Sequence, residues 1–137
     1  MPFTLTPVST TVSEGVGTVT FTITRSPATG AETVFFSTIQ NQGFTNSGDY
    51  TGRDTVAVNF AAGVTSQTIT VSITNDTTPE STETFGAIIE NAAGTVLDSS
   101  TFTITDNDAA ASTCTLTPVS TTVSEAVGTV TFTVTRS

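Results

Sequence analysis

Residues Thr4–Ser26 and Thr115–Ser137 carry the same phrase: VSEGVGTVTFTITRS ends the first copy and VSEAVGTVTFTVTRS the second. The two segments differ only at Gly15/Ala126 and Ile23/Val134, and they lie 111 residues apart. Near-identity at one spacing is the mark of a tandem array, in which each repeat is a unit stacked on its neighbours. The chain is therefore expected to hold one complete repeat, residues 1–111, and the opening strand pair of a second, residues 112–137, cut from a longer protein.

Inside the repeat, apolar residues alternate with hydroxyl residues at period two, and Gly, Pro, Asn and Asp punctuate the runs. Strands are predicted over about 5–12, 17–25, 32–38, 55–60, 66–74, 82–90 and 95–105, with Val19, Phe21 and Ile23, Val56, Val58 and Phe60, Ile69, Val71 and Ile73, and Phe102 and Ile104 pointing inward. Roughly a quarter of the residues are Thr and only three are Leu, a bias that favours pleated sheet over helix. Seven short strands in one repeat read as an all-β, immunoglobulin-like sandwich. Thr18, Thr20, Thr22 and Thr24 then form the solvated face of one strand.

Charge narrows the partners. Three Arg, no Lys and no His stand against twelve acids, a formal net charge of −9, which disfavours nucleic acid and anionic membranes and favours cations. No apolar run reaches the roughly 18 residues of a membrane span, and MPFTLTPV has no signal-peptide pattern, so any export signal is expected outside this sequence. Cys114 has no partner for an internal disulfide and reads as a small apolar residue in the place of Phe3.

If each strand reverses the last, the turns after strands one, three and five and the exit from strand seven share one end. That end receives Glu14, Asp49, Asp54, Asp76, Glu80, Asp106 and Asp108, with Glu83 at the start of strand six, while Glu32 and Glu90 mark the other end. Two carboxylates about 5 Å apart repel by about 3 kcal/mol at an effective dielectric near 20, so such crowding calls for a counter-ion. An all-oxygen donor set without His suits Ca2+ better than zinc or copper. Ordinary solvated turn acids remain the alternative at this point.

VSEGVGTVTFTITR, SGDYTGRDTVAVNFAAGVTSQTITVSITND with PESTETF, and STFTITDND together resemble the Calx-beta domain over about residues 5–108, and 115–137 resembles the start of another copy. The resemblance implies a seven-stranded immunoglobulin-like sandwich binding Ca2+ at one pole. Matched position by position, it implies Glu14, Asp49, Asp76, Glu80, Asp106 and Asp108 as metal ligands, with Glu83 as support. Asn75 stands where strong binders often carry a second Asp, and Asn107 splits the terminal pair, which implies weak binding toward the millimolar range of extracellular modules.

Nothing in the chain suggests an enzyme: there is no His or Lys to serve as base, and no insertion to build a pocket for a small-molecule substrate. The leading expectation is a structural, Ca2+-binding spacer of an extracellular or cell-surface protein, such as an adhesin stalk or fibre, with Ca2+ stiffening the joint between neighbouring repeats. The duplicated ends add a route to head-to-tail filaments of identical chains, residues 112–137 of one completing 27–111 of the next. The alternatives are a Ca2+-sensing regulatory domain and a structural sandwich repeat that binds no metal.

Overall fold

A computed structural model describes residues 2–39 and 48–137; Ser47, which opens the SGDY motif, lies outside them. Ten strands follow in chain order: β1 Phe3–Pro7, β2 Thr11–Ser13, β3 Thr18–Arg25, β4 Glu32–Ile39, β5 Val56–Phe60, β6 Ser66–Ser72, β7 Glu83–Glu90, β8 Val96–Thr105, β9 Cys114–Pro118 and β10 Phe132–Arg136. Short 3-10 turns at Glu14–Val16 and Glu125–Val127 sit between β2 and β3 and between β9 and β10.

β1 to β8 make a sandwich of two sheets, ordered β1-β3-β6 and β2-β8-β7-β4-β5. All pairs are antiparallel except β2 with β8, which run together. Every direction agrees with simple reversal from strand to strand, so the alternate connections do share an end.

The predicted first strand, 5–12, is broken in two. Leu5 pairs with Ile23 in one sheet, whereas Val12 pairs with Ile104 in the other, and the crossing occupies Val8 to Thr10. Pro7 ends the first piece, since it has no N–H to continue a ladder. The Asp98 carboxylate, reaching from β8, accepts the Leu5 N–H at 2.7 Å, and the Thr10 carbonyl accepts from Thr103 at 2.9 Å. Those two bonds tie both pieces to β8, across from or beside it.

The alternation does the rest. Val19, Phe21 and Ile23 of β3 point inward and are buried, while Thr20 and Thr22 face outward in register with Thr70 and Thr68 of β6. Phe21 is the hub, with ring centroids 5.4 Å from Phe36 and 5.3 Å from Phe102. Gly63 and Gly94 adopt positive φ in the tight turns before β6 and β8, where a Cβ would be strained.

One inward residue of β3 is charged. Arg25 is 3% exposed; its guanidinium donates to the carbonyls of Val64 and Ala61 at 2.8 and 2.7 Å, lies over the Phe60 ring and approaches Glu32 to 3.6 Å. It pins the β5–β6 turn at the end of the sandwich away from the acids.

β9 and β10 pair only with each other among the described residues, and their register repeats that of β1 with β3.

Candidate metal centre

Four stretches of backbone meet at the acidic end. β2 runs into the 3-10 turn, which holds Glu14 at its first position and closes at Gly17 with φ 79°. The 3-10 turn directs the Glu14 side chain inward, leaving it 3% exposed. Residues 49–51 are laced along the end of β6: Thr74 donates to the Asp49 carbonyl and Thr51 to the Ser72 carbonyl, both at 2.8 Å. That lacing sets Asp49 beside the exit of β6, which leads directly to Asn75 and Asp76. The exit of β8 brings Asp106, Asn107 and Asp108 to the same place, because β8 runs parallel to β2.

Carboxylate oxygens of Glu14, Asp76 and Asp108 lie within 4.8 Å of one another. The three come from sequence positions separated by 62 and 32 residues, and no Lys, His or Arg is paired with them among the described residues. Asp108 Oδ2 is buried with no hydrogen-bond partner. A buried carboxylate oxygen left without a donor is costly unless something positive faces it. Three hard oxygen ligands, an orphaned buried oxygen and no protein cation fit a divalent ion of the Ca2+ type.

Asp106 has a different task. Its Oδ2 accepts the Glu80 N–H, which staples the 76–83 loop to the exit of β8, and its Oδ1 accepts the Asp108 N–H, each at 2.8 Å. These donors, Asp108 first, hold its carboxyl below the ordinary range. Asp76 likewise orders its own turn, accepting the Thr78 N–H at 2.6 Å.

Asp49 forms a second group with Glu80 and Glu83, joined by side-chain hydrogen bonds. Asp49 is 6% exposed and its carboxyl is raised to about 6, first by burial and then by its hydrogen bond with Glu83. Glu80 is raised in turn, first by its hydrogen bond with Asp49. Burial raises Glu14 too, with the charges of Asp108, Asp106 and Asp76 acting in the same direction and the Asn107 N–H opposing them. The six residues therefore share one field, with carboxylate oxygens of Glu14, Asp76 and Asp108 converging, Asp49 and Glu80 sharing a hydrogen bond, and Asp106 accepting from the backbone of both Glu80 and Asp108. Asp54 stands apart from the cluster: it accepts the Thr55 hydroxyl at 2.9 Å, while Arg53 donates to the Thr70 carbonyl.

By sequence Asn75 and Asn107 stand only as missing charges. In the structure the Asn107 side-chain amide donates to Asn75 Oδ1 at 3.0 Å, joining the exits of β6 and β8 beside the carboxylates. A Cβ on Gly15 would stand 2.7 Å from the Asn107 amide nitrogen. Nothing in the spacing of these three residues signals that contact.

The Calx-beta domain family model matches residues 2–108. Among solved structures, an apo-form Calx CBD1 domain is 21% identical, with 79% of this chain and 100% of that one covered and a TM-score of 0.62. A structure described as the calcium binding domain CBD12 of CALX1.1 is 24% identical over 79% of this chain and 45% of that one, with a TM-score of 0.67. The Calx CBD2 domain is 15% identical over 76% and 86%, with a TM-score of 0.58. These likenesses are of fold. No curated protein matches the chain.

Proposed function

Because this chain belongs to the Calx-beta family, we propose that it is a Ca2+-binding β-sandwich module serving as a structural spacer in a secreted or surface-attached repeat protein, such as an adhesin stalk. The carrying observation is the convergence of Glu14, Asp76 and Asp108 around an unpartnered buried carboxylate oxygen. The calcium binding domain among the structural neighbours supports the choice of ion.

Glu14, Asp76 and Asp108 would hold the ion, and Asp49 and Glu80 would add further oxygens. The ion would supply positive charge to a patch that has none of its own. Asp108 is the last acid before 109–113, AAAST, so fixing it fixes the root of the connection to the next repeat. A rigid root sets the direction of that repeat, which is what a spacer requires. The module binds and positions; it performs no chemistry.

The test is thermal unfolding in chelator and in millimolar Ca2+, with limited proteolysis of 109–113 alongside. Calcium should raise the midpoint and protect the connection. Coincident transitions and equal cleavage would sink the proposal. Micromolar affinity by calorimetry would instead favour a sensing role.

A further inference from the structure

We propose that Arg53 holds the free edge of β6 shut, and that without its guanidinium the Ser66–Ser72 edge pairs antiparallel with the same edge of a second copy of this chain.

Among the described residues the two sheets of the sandwich end on β1 and β6 and on β2 and β5. An edge strand turns the N–H and C=O of alternate residues away from its sheet, and such groups, left unpaired, are a template for another chain. β2 is three residues long, too short to serve. In β1 the Leu5 N–H points away from β3 and is held by Asp98 Oδ2 at 2.7 Å, and Pro7, two residues on, has no N–H to offer. In β5 the Asn59 carbonyl accepts from Gln67 Nε2 at 2.8 Å. Three of the four edges are thus stopped by a side chain or by their own brevity.

β6 is the longest of the four, and its edge is closed in two parts. At its end the main chain of residues 49–51 covers it, the Thr51 N–H donating to the Ser72 carbonyl and the Thr74 N–H to the Asp49 carbonyl, both at 2.8 Å. Two residues back, the Thr70 carbonyl accepts from Arg53 Nε at 3.2 Å. Ser72 and Thr70 therefore face outward, and alternation puts both backbone groups of Thr68 on the same line.

The strand itself carries no charge: it reads SQTITVS, with Ser66, Thr68, Thr70 and Ser72 exposed. A neutral strand rich in β-branched residues pairs readily with its like. The occupant follows from symmetry. Turned antiparallel about Thr68, the edge faces itself with Ser66 opposite Thr70, and small hydroxyl residues meet small hydroxyl residues. Arg53 stands in the way, because pairing would strip it from the Thr70 carbonyl and bring two guanidinium groups to one seam.

The segment that carries Arg53 is anchored without its side chain. The Arg53 N–H donates to Thr38 Oγ1 at 2.9 Å, and its carbonyl accepts the Thr38 N–H at 2.8 Å. Truncation at Arg53 therefore opens the edge and leaves the loop in place. Under the spacer reading neighbouring repeats would hold such edges at high local concentration, but the proposal does not rest on that reading. Running the experiment in chelator keeps the two apart.

Sedimentation velocity of the full chain over a wide concentration range, with thermal melting and amide hydrogen exchange alongside, reads the outcome. Wild type and Arg53→Lys should stay monomeric, since lysine keeps a charge on the edge. Arg53→Ala should dimerise as concentration rises, and the Thr68 amide should exchange at least about tenfold more slowly in the dimer than in the monomer. Adding Thr68→Pro, which removes an outward N–H and spares the ladder to β3, should return the monomer. An Arg53→Ala protein that folds and stays monomeric throughout overturns the proposal. So does one that unfolds without associating, which would make Arg53 a brace of the fold. A dimer whose Thr68 amide exchanges at the monomer's rate, or a folded double variant that still dimerises, overturns the choice of β6 as the seam.

Discussion

The Asn107 side-chain amide lies 3.0 Å from Asn75 Oδ1, so two uncharged residues bind the exits of β6 and β8 together inside an acidic patch. Gly15 leaves the room they need, since a Cβ there would come within 2.7 Å of the Asn107 nitrogen and 3.5 Å of the Asn75 oxygen. Gly15 does not have positive φ, so Gly15→Ala keeps the turn and displaces only the amide. We expect a melting midpoint in chelator lowered by about 2–5 °C, the value of one net hydrogen bond in a domain of this size, and a several-fold weaker calcium affinity by calorimetry.

Residues that would hold the ion and residues that position them should part company in melting experiments. Glu14→Gln, Asp76→Asn and Asp108→Asn each remove a negative charge from a crowd, so the midpoint in chelator should rise while the calcium shift shrinks or vanishes. Asp106→Ala removes the acceptor of two backbone N–H groups, so its midpoint should fall in chelator and in calcium alike. For the wild type, Ca2+ at ten times its dissociation constant adds about 1.4 kcal/mol, a shift of about 5–10 °C.

The sandwich was legible in the sequence because its strands are short, reverse at every turn and alternate cleanly, which also made the pooling of acids at one end readable. The break at Val8 to Thr10 was not legible, because period two is the same on either sheet and only the partners, β3 before the break and β8 after it, distinguish them. Arg25 occupies an inward position of β3 and looks like a strand terminus by pattern; its burial depends on carbonyls of Val64 and Ala61, about 40 residues away. The division of the acids into the converging trio, the Asp49 group and the Asp106 staple follows from side-chain and backbone hydrogen bonds between distant stretches, which residue identity does not encode.

Acid should stabilise the metal-free protein before it harms it. Asp49 rises from 3.8 to about 6 on folding, and Glu14 and Glu80 are raised as well, so between those values the folded state binds more protons than the unfolded one and stability grows as pH falls. Asp106 is lowered, so its contribution is present above 3.8 and is lost as pH drops through its folded value. In chelator the melting midpoint should therefore climb by about 5 °C from about pH 7.5 to about pH 5 and turn over below about pH 4. In calcium the trend should reverse over the first interval, because the ion needs the ionised carboxylates. A chelator curve that falls steadily as the pH drops from about 7.5 would show that burial does not raise the Asp49 carboxyl in the folded state.

Arg25 separates the stability of the sandwich from the behaviour of the acidic end. Its buried guanidinium satisfies the Ala61 and Val64 carbonyls and lies against Phe60. Arg25→Met keeps an apolar stem over the ring and leaves both carbonyls without their donor, beside a Glu32 carboxylate that has lost its counter-charge. The cost should be about 2–4 kcal/mol, read as a midpoint lower by about 10–20 °C. Since the β5–β6 turn lies at the opposite end from Glu14, the calcium shift of the folded variant should equal that of the wild type. A calcium shift that collapses with Arg25→Met would mean the two ends are coupled through β6, whose exit carries Asp76, and that the sandwich transmits strain along its length.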